Sequence, residues 1–205
     1  MSKVGDSVRV SLSSGIGLLF LIAGYVTWVL FLVVEEGLRE TRNARSLRRG
    51  TFDRGSTLLV GWTFGIGLCL PVVTSLFRIA VFQVDLALGV AGISIMIYGL
   101  FLRIWSVSTL GRFYTRTLMI AEVHRVVTNG PYSRIRHPGY LGVILLWVGF
   151  GLLSGSVLVT VLLPLASVAV YVYRISVEER MLVNELGDDY TQYQRKTRRL
   201  IPFVY

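Results

Sequence analysis

Three clusters in the second half of this 205-residue chain hold side chains capable of chemistry. Asn129-Gly130-Pro131-Tyr132 is a turn signal that ends one element before the next begins. Arg134-Ile135-Arg136-His137-Pro138-Gly139-Tyr140 stands where a long charge-free run starts, and Tyr173-Arg174 with Glu178-Glu179-Arg180 stands where that run ends. Singly, each has a plain structural role. The turn is a connector, Arg134 and Arg136 anchor to anionic headgroups, His137 neighbours a helix cap, and Arg174 with Glu178 makes an i,i+4 ion pair. Together, an imidazole, a guanidinium and two carboxylates at one membrane boundary make a polar pocket beside lipid, and ionisable groups so placed are functional candidates. Such a pocket has two entrances, water for a soluble cofactor and bilayer for an apolar substrate, which suits modification of a lipid-like molecule. Glu178 and Glu179 stand about 100° apart on a helix, so they do not face one ligand equally.

The elements that must position these residues are helices in a bilayer. Leu12 to Val34 carries no charge and is long enough to cross a hydrocarbon core of about 30 Å. It is longer than the apolar region of a signal peptide, and Glu35-Glu36-Gly37 offers no small-residue cleavage site, so it reads as a retained first span. Ser56 to Phe77 is a second span, with Pro71 as a kink and Gly61-x-x-x-Gly65 as a face that would let another helix approach. Leu86 to Leu102 is a third, ended by Arg103 and Trp105 at the interface. Pro138 to Tyr173 is too long for one crossing. The glycines Gly149 and Gly151 and the Ser154-Gly155-Ser156 cluster divide it into a tight hairpin, with a short first arm over 139–153 and a second arm kinked at Pro164. The fold class is therefore all-α: a polytopic integral membrane protein of about five transmembrane helices, including a C-terminal hairpin, with a C-terminal helix beyond it.

Lys and Arg fix the expected orientation. The segments 35–55, 103–137 and 174–205 hold six each, against Lys3, Arg9 and Arg78 on the other side. The C terminus and the polar clusters are expected to face the cytoplasm. A net charge of +9 would point to nucleic acid in a soluble domain; here the arginines flank spans, and no basic stretch carries the interleaved aromatics of a single-strand reader. The single Cys69 excludes an intrachain disulfide or a thiolate metal site, and two histidines are too few for a metal centre by themselves.

At the polar clusters the sequence resembles the isoprenylcysteine carboxyl methyltransferase family and, more loosely, the phospholipid methyltransferases. The matching pattern is Gly130-Pro131-Tyr132, Arg136-His137-Pro138-x-Tyr140-x-Gly142, Arg174-x3-Glu178-Glu179-x2-Leu182, Gly187-x2-Tyr190-x2-Tyr193 and Ile201-Pro202. It covers 84–205, a methyltransferase-like core, and leaves 1–83 as generic spans with an arginine-rich loop. The resemblance implies methyl transfer from S-adenosyl-L-methionine without a Rossmann domain, in agreement with the lack of a G-x-G-x-x-G between strand and helix. It implies a cofactor pocket lined by His124, Arg125, Val126, Val127, Gly130, Tyr132, His137, Tyr140, Glu178 and Glu179, with the carboxylates on ribose hydroxyls or the amino group and His137 on the methionine carboxylate. Arg174 is the candidate for orienting an acidic acceptor through a bidentate fork. A carboxylate acceptor needs alignment and a dry pocket rather than a base; a thiol or amine would make His137 or a glutamate a candidate base. The acceptor is expected to be lipophilic or prenylated and to enter from the bilayer.

Two other readings compete. Sterol double-bond reductases share a His-Pro-x-Tyr element and an Ile-Pro ending and use NADPH, but Glu178-Glu179, Leu182 and Tyr190 fit methyl transfer better. A small transporter or assembly factor is the non-enzymatic alternative; charges within the spans would mark an ion path, and the apolar runs hold none.

Overall fold

The computed structural model describes residues 2–40, 55–111 and 126–200, with side chains from residue 15 to residue 38 in the first of these stretches. Five helices account for most of it: α1 (Ser2–Glu40), α2 (Ser56–Leu76), α3 (Leu86–Leu110), α4 (Pro138–Leu153) and α5 (Val157–Lys196). A 3-10 turn over Gly130–Ser133 precedes α4. Among the described residues, four stretches are long and apolar enough to cross a membrane: Gly15–Leu38, Ser56–Leu76, Leu86–Leu110 and Val157–Leu186. The 16 residues of α4 rise only about 24 Å, short of a full core.

Local sequence sets the boundaries. Asp85 caps α3 by accepting from the Leu88 amide at 2.8 Å, satisfying a donor that the first helical turn leaves open. Pro138 stands at the first position of α4, where its missing N–H costs nothing. The helix α3 runs through Arg103 to Leu110, past the expected end at Leu102, because Arg103 turns inward and meets Glu35 of α1 in a two-bonded pair of 2.7 and 3.1 Å. Pro164 does not interrupt α5; the only non-helical backbone inside it is at Gly187.

The bundle is built on the pair α3–α4, whose backbones touch. A Cβ on Gly99 would lie 2.6 Å from the Gly142 carbonyl, and Gly92 meets Gly149 in the same way two turns along. These glycines stand seven apart on each helix. By contrast, the Gly61 and Gly65 pair expected to seat a helix has open space before it. Packed on α4 is an aromatic cluster of Trp28, Phe31, Phe64, Trp147 and Phe150, with Trp28 and Trp147 ring centroids 4.3 Å apart. Such rings supply the dense packing that a bilayer protein needs where the apolar solvent gives no hydrophobic drive.

The two ends of the bundle are closed differently. At one end the α2–α3 connection clasps the α4–α5 turn through backbone: Phe82 N–H donates to Gly155 at 2.7 Å and Val157 N–H to Ala80 at 2.9 Å. Arg78 and Ala80 there adopt positive φ of 51° and 50°, unusual for residues with a Cβ. At the other end, residues 134–137 pair with 198–199: Arg136 N–H donates to Arg198 at 2.7 Å, His137 N–H to Arg199 at 3.0 Å, and Arg198 N–H back to Arg134 at 3.0 Å.

Candidate active site

The second clasp places the Arg-His-Pro segment. Gly187, at φ 56°, redirects the end of α5 so that Tyr190 and Tyr193 turn back toward the 3-10 turn. Tyr193 donates its hydroxyl to the Tyr132 carbonyl at 2.7 Å. Burial pushes the Tyr193 and Tyr190 hydroxyls well above the usual tyrosine range, and the Glu179 and Glu178 carboxylates add to the effect at Tyr190. Both therefore hold their protons more tightly than a free tyrosine does.

Glu179 is the hub of this end. Its buried carboxylate accepts from Arg136 Nε at 2.7 Å and Arg199 Nε at 3.0 Å, and lies 3.2 Å from His137 Nε2. Arg136 also donates to the Gln194 and Thr197 carbonyls. Three elements, the segment before α4, the middle of α5 and the C-terminal strand-like stretch, therefore meet on one anion, and charge-assisted bonds of this kind are the strong ones.

Glu178 points elsewhere. It accepts the Tyr140 hydroxyl at 2.6 Å, and its side chain is 23% exposed. Tyr140 in turn accepts from Arg174 Nε at 2.9 Å and stacks on His137, with ring planes 5° apart. The His137 ring sits between the two glutamates, with Nδ1 3.9 Å from Glu178. Arg174, 5% exposed, is also held at 3.1 Å by the Ser56 and Thr57 hydroxyls at the start of α2.

Beyond Tyr140 and Arg174 lies a cavity of about 290 Å³ between α1 and α2. Glu35, Thr57, Arg103, Tyr140 and Arg174 form its polar end; Phe31, Val60, Phe64 and Leu68 line the apolar part. Leu32, Gly61 and Gly65 line it too and are exposed, which puts its opening on the outer face between the two helices. Phe31 and Phe64 stack at 5.9 Å, and Tyr25 donates to the Leu68 carbonyl at 2.8 Å, in the turn that Pro71 disrupts.

Of the residues expected at the site, the structure brings five together as two hydrogen-bonded sets, Arg174–Tyr140–Glu178 and His137–Glu179, which meet where the His137 and Tyr140 rings stack. Gly130, at φ 56°, opens the 3-10 turn against Trp105 and Thr109 of α3, and Tyr132 is buried beneath Tyr193. Val126 and Val127 are half-buried in the irregular stretch before that turn. His124 and Arg125 lie outside the described residues. Sequence reasoning missed Glu35, Arg103, Ser56, Thr57 and Tyr171 as site-lining groups, and took Arg136 for a headgroup anchor. The signal was present for two of them: Glu35 and Arg103 are the first charges after the first and third apolar runs.

Comparison with known proteins decides the assignment of this arrangement. Residues 91–184 match the model of the isoprenylcysteine carboxyl methyltransferase (ICMT) family. Over these residues the chain is similar to that family. The match takes in α3, α4 and the site-bearing part of α5, and omits α1 and α2. Among curated proteins, a protein-S-isoprenylcysteine O-methyltransferase of Schizosaccharomyces pombe is 37% identical over 40% of this chain and 34% of its own length. A probable protein-S-isoprenylcysteine O-methyltransferase of Oryza sativa subsp. indica is 32% identical over 55% of this chain and 60% of its own. The chain thus spans between a third and three fifths of these relatives. A solved structure of the eukaryotic intramembrane Ras methyltransferase ICMT aligns with 72% of this chain and 52% of its own at a TM-score of 0.55 and 26% identity. The polytopic helical architecture read from the sequence is the architecture found.

Proposed function

We propose that this protein is a membrane-embedded carboxyl O-methyltransferase that uses S-adenosyl-L-methionine and acts on an apolar, prenylcysteine-like monocarboxylate. One observation carries the reading: a single hydroxyl, that of Tyr140, joins Arg174 at the polar end of an apolar cavity to Glu178 on the side away from it. Lipid-like substrate on one side and a polar co-substrate on the other is the arrangement that methylation of such an acid needs. The names of the two relatives given above, both protein-S-isoprenylcysteine O-methyltransferases, support the same chemistry.

The residues beside Glu178 suit the methyl donor. Its hydroxyls, ammonium and adenine amine are donors, and Glu178 keeps one carboxylate oxygen without a hydrogen bond among the described residues. The backbone groups of Val126, Val127 and Thr128 likewise make no hydrogen bond among the described residues, leaving an edge with donors and acceptors to offer. Glu178, Tyr132 and this edge would hold the donor, with His137, fixed between two carboxylates, positioning Tyr140 and Glu178 rather than binding the donor itself. When bound, S-adenosylmethionine supplies a methyl group already activated on a sulfonium.

The remaining work belongs to this chain's residues. The acceptor carboxylate is anionic at neutral pH and needs no base. Among the ionisable residues lining the cavity, Arg103 and Arg174 stand against Glu35, a net single positive charge that matches a monoanion. Arg174, held rigid by Tyr140, Ser56 and Thr57, orients the acceptor oxygen, and the apolar lining keeps water out, so proximity supplies the rate. Residues 84–205 form the catalytic core in this reading, 1–83 supply the acceptor's wall, and the polar end faces the cytoplasm, where the donor is made.

The test is calorimetric titration of S-adenosylhomocysteine into detergent-purified protein, with Glu178→Ala as control. Micromolar binding lost in the variant is expected. A folded protein that binds NADPH and ignores S-adenosylhomocysteine would overturn the proposal in favour of a reductase.

A further inference from the structure

We infer that the α1–α2 cavity measures the acceptor, taking a monocarboxylate whose apolar chain has at most about ten carbons, and that Gly61 and Phe64 set this limit. The inference rests on the methyltransferase reading for the identity of the polar head, and on the cavity for everything else. Both residues lie outside residues 91–184, the segment matched by the family model.

Size is the first argument. At roughly the 30 Å³ that a water-sized group occupies in a liquid, a cavity of about 290 Å³ admits about ten such groups, the carboxylate head among them, so ten carbons is the upper bound for the chain. Depth is the second. From Thr57 at the polar end to Leu68, the last α2 residue of the lining, the helix rises about 16 Å, and the stacked Phe31–Phe64 rings narrow that path. Below them Tyr25 ties α1 to α2 at Leu68, so a longer chain finds no continuation inward. Width is the third. Gly61 lines the cavity one turn beyond Thr57, and a Cβ built there meets nothing within 4 Å. Its missing side chain is room for the ligand, because no neighbouring helix uses it. Charge is the fourth: the excess of one guanidinium at the polar end selects a monoanion over an amine.

The experiment titrates a series of S-alkyl-N-acetylcysteines, from butyl to hexadecyl, into detergent-purified protein without methyl donor. Wild type is compared with Gly61→Leu, Phe64→Ala and, as control, Gly15→Leu, a glycine that also has open space around it but lies outside the cavity. The ratio of variant to wild-type affinity at each chain length cancels partitioning into the micelle. Each methylene buried or lost is a factor of about four. For Gly61→Leu the ratio should be near one for butyl and fall about tenfold or more by decyl, since a leucine displaces several methylenes. For Phe64→Ala it should stay near one to octyl and rise beyond decyl. Gly15→Leu should leave it at one throughout. A Gly61→Leu ratio independent of chain length overturns the inference, and this variant decides alone if Phe64→Ala melts. Because no donor is present, failure of methyl transfer leaves the titration intact; efficient transfer with a flat ratio sinks the inference and spares the activity. Repeating the series on the C-terminal cysteine of a short peptide assigns the source: the same profile marks a lipidated chain end, and a profile seen only with the free compounds marks a small acid.

Discussion

The two ends of the bundle solve one problem, joining a connection to a hairpin, with opposite materials. At the α4–α5 turn the joint is backbone and short neutral side chains: Phe82 to Gly155, Val157 to Ala80, and the Ser156 hydroxyl to the Ile79 carbonyl. At the start of α4 the joint is also a backbone pairing, but it is fastened by a buried carboxylate receiving two guanidiniums and an imidazole. The bonds that fasten the neutral end involve no ionised group. The charged end concentrates every residue proposed for chemistry. A buried charge is a poor way to gain stability, since desolvation offsets much of the attraction. Its presence at one end only indicates that Glu179 is kept there for position: it holds His137 and Arg136 where Tyr140 and Glu178 can be presented.

If that contrast is right, removing the anion is the most damaging change to the molecule. Glu179→Ala leaves Arg136 and Arg199 without their shared partner and should destabilise by about 3–5 kcal/mol, read as a lowered unfolding midpoint in mixed micelles. Glu179→Gln, which keeps hydrogen-bond capacity, should cost less. Next comes Tyr140→Phe, which cuts the link between Arg174 and Glu178 while preserving the ring stacked on His137. We expect methyl transfer to fall about tenfold to a hundredfold, as for other lost positioning contacts, with the melt little changed; an unchanged rate would remove the support for Tyr140 as the joint between the two sides.

A third change tests the clasp from its tyrosine. The Tyr193 hydroxyl titrates above its ordinary value in the folded protein, so its stabilising contribution is complete below about pH 10 and is lost as pH rises through the higher folded value. Tyr193→Phe should cost about 1 kcal/mol and flatten the alkaline arm of a stability-against-pH curve. The smallest effect belongs to the neutral end. Ala80 holds a positive φ that glycine adopts freely, so Ala80→Gly should be neutral to stabilising by up to about 1 kcal/mol without altering transfer. A loss of activity there would mean that the two ends are coupled.

Much of this was legible beforehand, and the failures have physical reasons. Charge-free runs located all five α-helices found among the described residues, because a bilayer forbids unpaired charge more strictly than any other solvent. The same rule misplaced the end of α3: Arg103 looked like an interfacial stop, yet it continues the helix by pairing with Glu35, the residue that closed the first run. Two charges that each ended an apolar segment in one dimension cancel in three. The glycine seam was sought at a spacing of four, in Gly61 and Gly65, and found at a spacing of seven, in Gly92 and Gly99 against Gly142 and Gly149. A short motif cannot say whether a bare helix face meets another helix or a hole. The division of labour between Glu178 and Glu179 followed from helix geometry in outline, but which one faced inward depended on Arg199 and the return of the chain at Gly187, partners too distant in sequence to anticipate.

Tyr140 has a consequence beyond its hydrogen bonds. On one side of it lies the apolar space between α1 and α2, on the other a partly exposed carboxylate, and the ring with its hydroxyl is what stands between them. The boundary between oil and water, about 5–8 Å of graded headgroup on each side of the membrane elsewhere, is compressed here to the thickness of one side chain. Two molecules that never share a solvent can thereby be brought within bonding distance without either leaving its own phase.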